Sequence, residues 1–210
     1  MELKELNSLV ELFFKKYKEK FPNISGKSHE EIFLVALKNK DLPDTNCGPY
    51  TYSWGNINTK IRILSNYLKS IISKGDRCIL LSENRPEWLI SDLAIMNSGG
   101  VTVPLFTTYS ENDYEYIIKD CAPKVCIVSN FDKFKKIKNF IKENTIVISI
   151  DELDQNIESF EDIFLKARTD LKKLTESVVP YNDNLRRNDL ACIIYTSGTT
   201  GNPKGVMLSH

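Results

Sequence analysis

Residues 78–103 read CILLSENRPEWLISDLAIMNSGGVTV, and this stretch decides the fold. Cys78-Ile79-Leu80-Leu81 is an unbroken apolar run, the pattern of a strand buried on both faces in a parallel sheet. Asn84-Arg85-Pro86 then opens a helix, since proline at the first helical position has its φ already set and no N–H to leave unpaired. Leu89, Leu93 and Met96 recur along it at helical spacing, and Gly99-Gly100 stops it. Val101-Thr102-Val103 follows as a second short strand. Parallel neighbours cannot be joined by a tight turn, so strand, crossover helix, strand is the unit from which a parallel sheet is built.

The alternation extends both ways. Upstream, Ile61, Leu64, Leu68, Ile71 and Ile72 make one covering helix that stops at Gly75. Downstream, Ser110 with Asp113 forms a capping-box-like start to a helix through Tyr114, Ile117 and Ile118, which Pro123 ends. Residues 125–128 and 146–148 predict strands separated by a lysine-rich helix carrying Phe134, Ile137 and Ile141. After Ser159, Phe160, Ile163, Phe164, Ala167, Leu171 and Leu174 share one helix face. The expected fold class is α/β, a mostly parallel sheet with helices on both faces. The expected organisation is a variable N-terminal helix and lead-in over 1–45 and an α/β subdomain over 46–180. Residues 181–210 then give a connection, a strand and a glycine-rich loop that opens a next subdomain.

Lys plus Arg and Asp plus Glu each total 28, so there is no basic excess to track a nucleic-acid backbone. The five cysteines are odd in number and several sit in apolar runs, where a thiol behaves as a small core side chain. His29 and His210 lie far apart and no C-x-x-C occurs, so no metal site is expected. The start, MELKELNSLV, lacks the basic segment, apolar core and cleavage site of a secretory signal, and no apolar run approaches a membrane span. A soluble protein of a reducing compartment, the cytoplasm, is the expectation. Leu3, Leu6, Val10, Phe13 and Tyr17 form an apolar stripe on a first helix. It suits docking on the body of the domain, the common role of an amphipathic helix, or peripheral contact with a membrane surface.

The segment Tyr195-Thr196-Ser197-Gly198-Thr199-Thr200-Gly201-Asn202-Pro203-Lys204-Gly205 follows the apolar strand 191–194 directly. Gly198, Gly201 and Gly205 let backbone N–H groups approach a ligand closely. Thr196, Ser197, Thr199 and Thr200 add hydroxyl donors, and Lys204 adds positive charge at the far end. All of these suit phosphate oxygens. A Walker A loop needs Gly-Lys-Ser/Thr, but Pro203 precedes Lys204 and Gly205 follows it. A dinucleotide fingerprint needs G-x-G-x-x-G, and only Gly198-x-x-Gly201 is present. A solvated Ser/Thr/Gly linker is the bland alternative, and it has no need of a lysine and glycines in this order after a buried strand.

YTSGTTGNPKG over 195–205 resembles the phosphate-loop signature of the adenylate-forming superfamily, which includes acyl-CoA synthetases, luciferases and peptide-synthetase adenylation domains. The similarity continues through residues 206–210. Upstream, Gly75-Asp76-Arg77, the segment 82–88 (SENRPEW) and the segment 99–105 (GGVTVPL) look like the long-chain fatty acyl branch, and residues 50–54 (YTYSW) resemble an early strand-to-helix entry. The resemblance implies the N-terminal part of the large domain of such an enzyme, and the chain reads as an N-terminal fragment. It implies a carboxylate attacking the α-phosphorus of Mg-ATP to give acyl-adenylate and pyrophosphate, after which the CoA thiol takes the acyl group. ATP, Mg²⁺, CoA and a long-chain fatty acid are the partners it brings. Lys204 would stabilise the leaving pyrophosphate, with Thr196, Ser197, Gly198, Thr199, Thr200, Gly201 and Gly205 completing the phosphate contacts. Adenylation of another carboxylate, or nucleotide binding without catalysis, are the alternatives. Arg85, Tyr109 and His210 receive no role, Trp88 is expected as a core anchor, and oligomeric state is left open.

Overall fold

The computed structural model describes residues 54–153, 157–171, 184–196 and 202–210, with side chains described for all of these except 54–56 and 168–171. The chain divides into two units, 1–58 and 59–210, and the architecture below is that of the second. The Leu3 to Tyr17 stripe, the segment 50–53 and Leu174 lie outside the described residues.

Among the described residues the elements run α1 (Trp54–Lys69), β1 (Arg77–Leu81), α2 (Pro86–Ser98), β2 (Val101–Pro104), α3 (Glu111–Cys121), β3 (Val125–Val128) and α4 (Phe131–Ile137). They continue as β4 (Ile146–Ser149), β5 (Glu158–Ser159), α5 (Phe160–Leu171), β6 (Leu190–Thr196) and β7 (Lys204–Ser209). One seven-stranded sheet has the order β5-β4-β3-β1-β2-β6-β7. Every pairing is parallel except β6 with β7, which is antiparallel. The expected α/β class with a mostly parallel sheet is therefore what the chain forms. β6 joins through the pair Thr102↔Cys192, so residues 190–209 extend the sheet that residues 77–104 begin.

The punctuation seen in the sequence works as expected. Pro86 opens α2, and Gly99 ends it at φ 91°, a left-handed conformation that costs a glycine little. Gly100 is closely surrounded as well, since a Cβ there would stand 2.8 Å from the Ile72 Cδ1 tip and 3.1 Å from Ile95 Cγ2. Ser110 caps α3 with a full capping box: its Oγ accepts from the Asp113 N–H at 3.2 Å, and its own N–H donates to Asp113 Oδ2 at 3.0 Å. Ser159 and Asp162 repeat the arrangement at the start of α5, at 3.2 and 2.9 Å.

The buried face of α2 differs from the expected one. Ile90, Ala94 and Ile95 are fully buried with Ser91 and Ser98, whereas Leu89, Leu93, Met96 and Trp88 are only partly buried. The apolar residues of α2 are spread around the helix and interleaved with Glu87, Ser91, Asp92, Asn97 and Ser98, so spacing alone does not choose the face. The two serines can be buried because each hydroxyl donates to a carbonyl of its own helix at 2.6 Å, Ser91 to Glu87 and Ser98 to Ile95. The lysine-rich helix is also shorter than its pattern suggested, ending at Ile137 and leaving Ile141 beyond it.

The core lies on the sheet beneath α3 and α4, where Ile79, Val103, Tyr114, Ile117, Val128 and Ile137 pack together. Cys78, Cys121 and Cys126 are buried free thiols, and burial pushes the Cys78 and Cys121 thiols up to about 12. No helix among the described residues is long and apolar enough to cross a membrane.

Charged side chains gather past the C-terminal ends of β1, β3 and β4. Lys133 pairs with Glu83 at 2.6 Å, and Arg85 pairs with Glu87 at 2.8 Å and with Asp151 at 2.9 Å. Burial alone would raise the Glu83 carboxyl, but hydrogen bonds from Lys133, Ser129 and a backbone N–H, with the charge of Lys133, outweigh it and hold the group at about 2, below its ordinary 4.5. A depressed carboxylate contributes stability that is present above its unfolded value and lost as pH falls through its folded one. Thermal midpoints of the wild-type chain should therefore fall more steeply than those of Glu83→Gln between pH 4.5 and 2. Parallel curves over that window would show that the pair adds nothing.

Candidate functional site

β6 and β7 form a hairpin whose last ladder pair is Thr196↔Lys204, preceded by Tyr195↔Gly205 and Ile194↔Val206. The glycine-rich segment is the connection at its tip. Ser197, Gly198, Thr199, Thr200 and Gly201 lie outside the described residues, while Asn202 is exposed and Pro203 buried. Of the expected phosphate-binding residues, Thr196, Lys204 and Gly205 are thus brought together by strand pairing, all three exposed at the root of the loop. Lys204 makes no ion pair with a described residue, so its ammonium is free to meet an anion. His210 lies at the opposite end of β7, where its N–H donates to the Asp189 carbonyl at 3.2 Å.

The root of the loop is held from below. Tyr195 is 2% exposed, and its hydroxyl donates to Asp120 Oδ2 at 2.5 Å in the last turn of α3. Burial and that hydrogen bond both raise the phenol, which keeps it a proton donor across the physiological range. Its backbone carbonyl accepts from the Tyr109 hydroxyl at 2.8 Å. The Tyr109 ring meets Phe106 and Tyr114 edge-on, with centroids 5.2 and 6.0 Å apart, and Tyr114 donates to the Phe106 carbonyl at 2.8 Å.

Gly205 has a steric duty as well as a backbone N–H to offer. A Cβ at this position would stand 2.8 Å from Ile193 Cγ2 and 3.2 Å from Tyr195 Cζ. Gly205→Ala should therefore displace the Ile193 side chain and press on the Tyr195 ring, at a cost of about 1–3 kcal/mol in stability, the usual range for overpacking. A urea midpoint equal to wild type would show that the hairpin absorbs the methyl without strain.

An open pocket of about 340 Å³ lies beside the Tyr109 ring, lined by Tyr109, Glu111, Tyr114, Lys135 and Lys136. Lys136 donates to the Thr107 carbonyl at 2.7 Å, and Lys135 stands 4.4 Å over the Phe131 ring. Among the described residues, no group of three His, Cys, Asp or Glu side chains could hold a metal ion.

Two features were missed in the sequence. β7 reads KGVMLS, which shows no alternation, and all six residues are exposed, so neither burial pattern nor spacing marks it as a strand. The Tyr195 to Asp120 bond joins residues 75 apart, beyond any local signal.

A family model described as "AMP-binding enzyme" matches residues 33–210. The fatty acyl-CoA synthetase A of Dictyostelium discoideum is 36% identical over 145 residues, which is 66% of this chain and 21% of that protein. The long chain acyl-CoA synthetase 3 of Arabidopsis thaliana is 30% identical over 189 residues, 83% of this chain and 27% of that protein. The chain thus spans between a fifth and about a quarter of the length of these curated relatives. Among solved structures, ATP-bound MatB from Rhodopseudomonas palustris superposes with a TM-score of 0.60 at 26% identity, covering 84% of this chain and 34% of that one.

Proposed function

The chain belongs to the AMP-binding enzyme family, and from that membership we propose that it supplies the ATP phosphate-holding part of an enzyme that activates a long-chain fatty acid to acyl-adenylate and then to acyl-CoA. The observation that carries the reading is the β6–β7 hairpin. It sets exposed Lys204 opposite Thr196 at the root of a glycine- and hydroxyl-rich loop, with no competing anion among the described residues. The names of the Dictyostelium and Arabidopsis relatives favour a fatty acid as the carboxylate, and the MatB structure holds ATP on the same fold.

A fatty acid is already ionised near neutral pH, so its attack on the α-phosphorus needs no general base. What remains is to align attack with departure and to neutralise the leaving pyrophosphate. Lys204, the Thr196 hydroxyl and the loop N–H groups of residues 197–201 do this in the proposal, as donors at the β- and γ-phosphates. Magnesium enters with ATP as part of the substrate, and the described residues offer no acidic cluster of their own for it. The CoA thiol then attacks the acyl carbon and AMP leaves.

The test is a chimera in which residues 33–210 replace the matching segment of the Dictyostelium relative. Palmitate-dependent exchange of labelled pyrophosphate into ATP is expected. A folded chimera active only with an amino acid or aryl acid would overturn the fatty-acid assignment, and one that binds ATP without any exchange would favour a non-catalytic role.

A further inference from the structure

We propose that Tyr195 is a positioning residue that sets both ends of the phosphate loop at once, an inference that rests on the phosphate reading of that loop. Packing alone does not call for tyrosine here. The ring belongs to the buried cluster that includes Val103, Ile117 and Cys121, and phenylalanine would fill the same space. The hydroxyl adds a directional tether from β6 to Asp120 on α3. Asp120 is exposed and the bond partly buried, so the tether runs from the buried ring to the surface end of α3.

The first end of the loop is set through the backbone. β2 ends at Pro104, which has no N–H, and the next N–H, that of Leu105, donates to the Leu80 carbonyl at 3.0 Å. The ladder that would continue along β6 therefore has no strand donor at this level. Tyr109 supplies one, its hydroxyl taking the Tyr195 carbonyl one residue before Thr196. The edge-on ring contacts with Phe106 and Tyr114 hold the Tyr109 ring in place.

The second end is set through the ring. Tyr195 faces Gly205 across the hairpin, and the space a Gly205 side chain would need is occupied by the Tyr195 and Ile193 side chains. Gly205 adjoins Lys204, so the same ring that anchors Thr196 also fixes where the ammonium leaves β7. One side chain thus couples both ends of the loop to α3. Positioning of this kind matters because an electrostatic contact in a transition state is effective only when its donor is already in place.

Hydrogen exchange in the Dictyostelium chimera tests this at the ladder amides of residues 194–196 and 204–206, with the amides of β1 and β3 as internal reference. Tyr195→Phe and Tyr109→Phe should each speed exchange at the hairpin about tenfold and leave β1 and β3 unchanged, as expected for local opening after loss of one partly buried hydrogen bond. Asp120→Ala should match Tyr195→Phe, and Asp120→Asn, which keeps an acceptor, should recover most of the protection. Millimolar pyrophosphate should slow exchange at the same amides in wild type, and less so in Tyr195→Phe. Variants that exchange like wild type at the hairpin, or that speed β1 and β3 equally, would overturn the positioning role whatever pyrophosphate does. A wild-type hairpin indifferent to pyrophosphate would contradict the phosphate reading whatever the variants do.

Discussion

Lys204→Ala in the Dictyostelium chimera is expected to slow palmitate-dependent pyrophosphate exchange by roughly 100- to 1000-fold, about 2.7–4 kcal/mol, the size seen when one preorganised donor to a developing charge is removed. The reason is geometric. Lys204 opens β7 directly opposite Thr196, its side chain is exposed, and it makes no ion pair with a described residue, so its charge is available to the leaving pyrophosphate. The loss should fall on kcat and leave the palmitate KM within about threefold, because an interaction made only in the transition state lowers kcat without weakening the ground state. Lys204→Arg should recover part of the rate, since guanidinium keeps the charge and changes the geometry. A variant with unchanged exchange would remove Lys204 from the chemistry.

The second large effect is a complete loss. The 210-residue chain by itself should form no acyl-CoA from palmitate, ATP and CoA, while the chimera does. Thr196 and all six residues of β7 are exposed, so donors at the root of the loop act in a solvated, high-dielectric setting. A unit-charge contact at 4 Å is worth about 1 kcal/mol in water and about 4 kcal/mol at an effective dielectric of 20. Several such contacts in water do not sum to a tight triphosphate site. Val206, Met207 and Leu208 are 46%, 72% and 42% exposed, which makes β7 an apolar edge able to pair with other chains. Association of the isolated chain at high concentration is the companion expectation, measured by light scattering. Exchange by the isolated chain above background would show that the exposed hairpin suffices.

The fold was legible where one residue type has one physical use. Pro86 and Gly99 bracket α2 because the first has no N–H to lose and the second can take φ 91°. Ser110 with Asp113 marked α3 because each side chain satisfies a backbone N–H of the other. The α2 face was not legible, since leucines, isoleucines and methionine surround the helix and only tertiary packing chooses among them. β7 was not legible either, because an edge strand that buries neither face carries no alternation to read.

The site divides in the same way. Thr196, Lys204 and Gly205 were identified from loop chemistry, and strand pairing brings them to one place. Tyr109 was given no role by its neighbours in sequence, because its hydroxyl meets the Tyr195 carbonyl 86 residues further on. Gly205 was singled out for its backbone, yet its second constraint, the Tyr195 ring lying against it, exists only once β6 and β7 have paired.

The most direct measurement is the rate at which an amine-selective reagent modifies Lys204 in the chimera, with and without saturating tripolyphosphate, against the exposed lysines Lys119 and Lys135 as references. If the loop holds the phosphates of ATP, tripolyphosphate should slow modification of Lys204 at least about tenfold and leave the two references unchanged, since a charge-assisted contact withdraws the amine from reaction. Equal modification of Lys204 with and without tripolyphosphate would contradict the account.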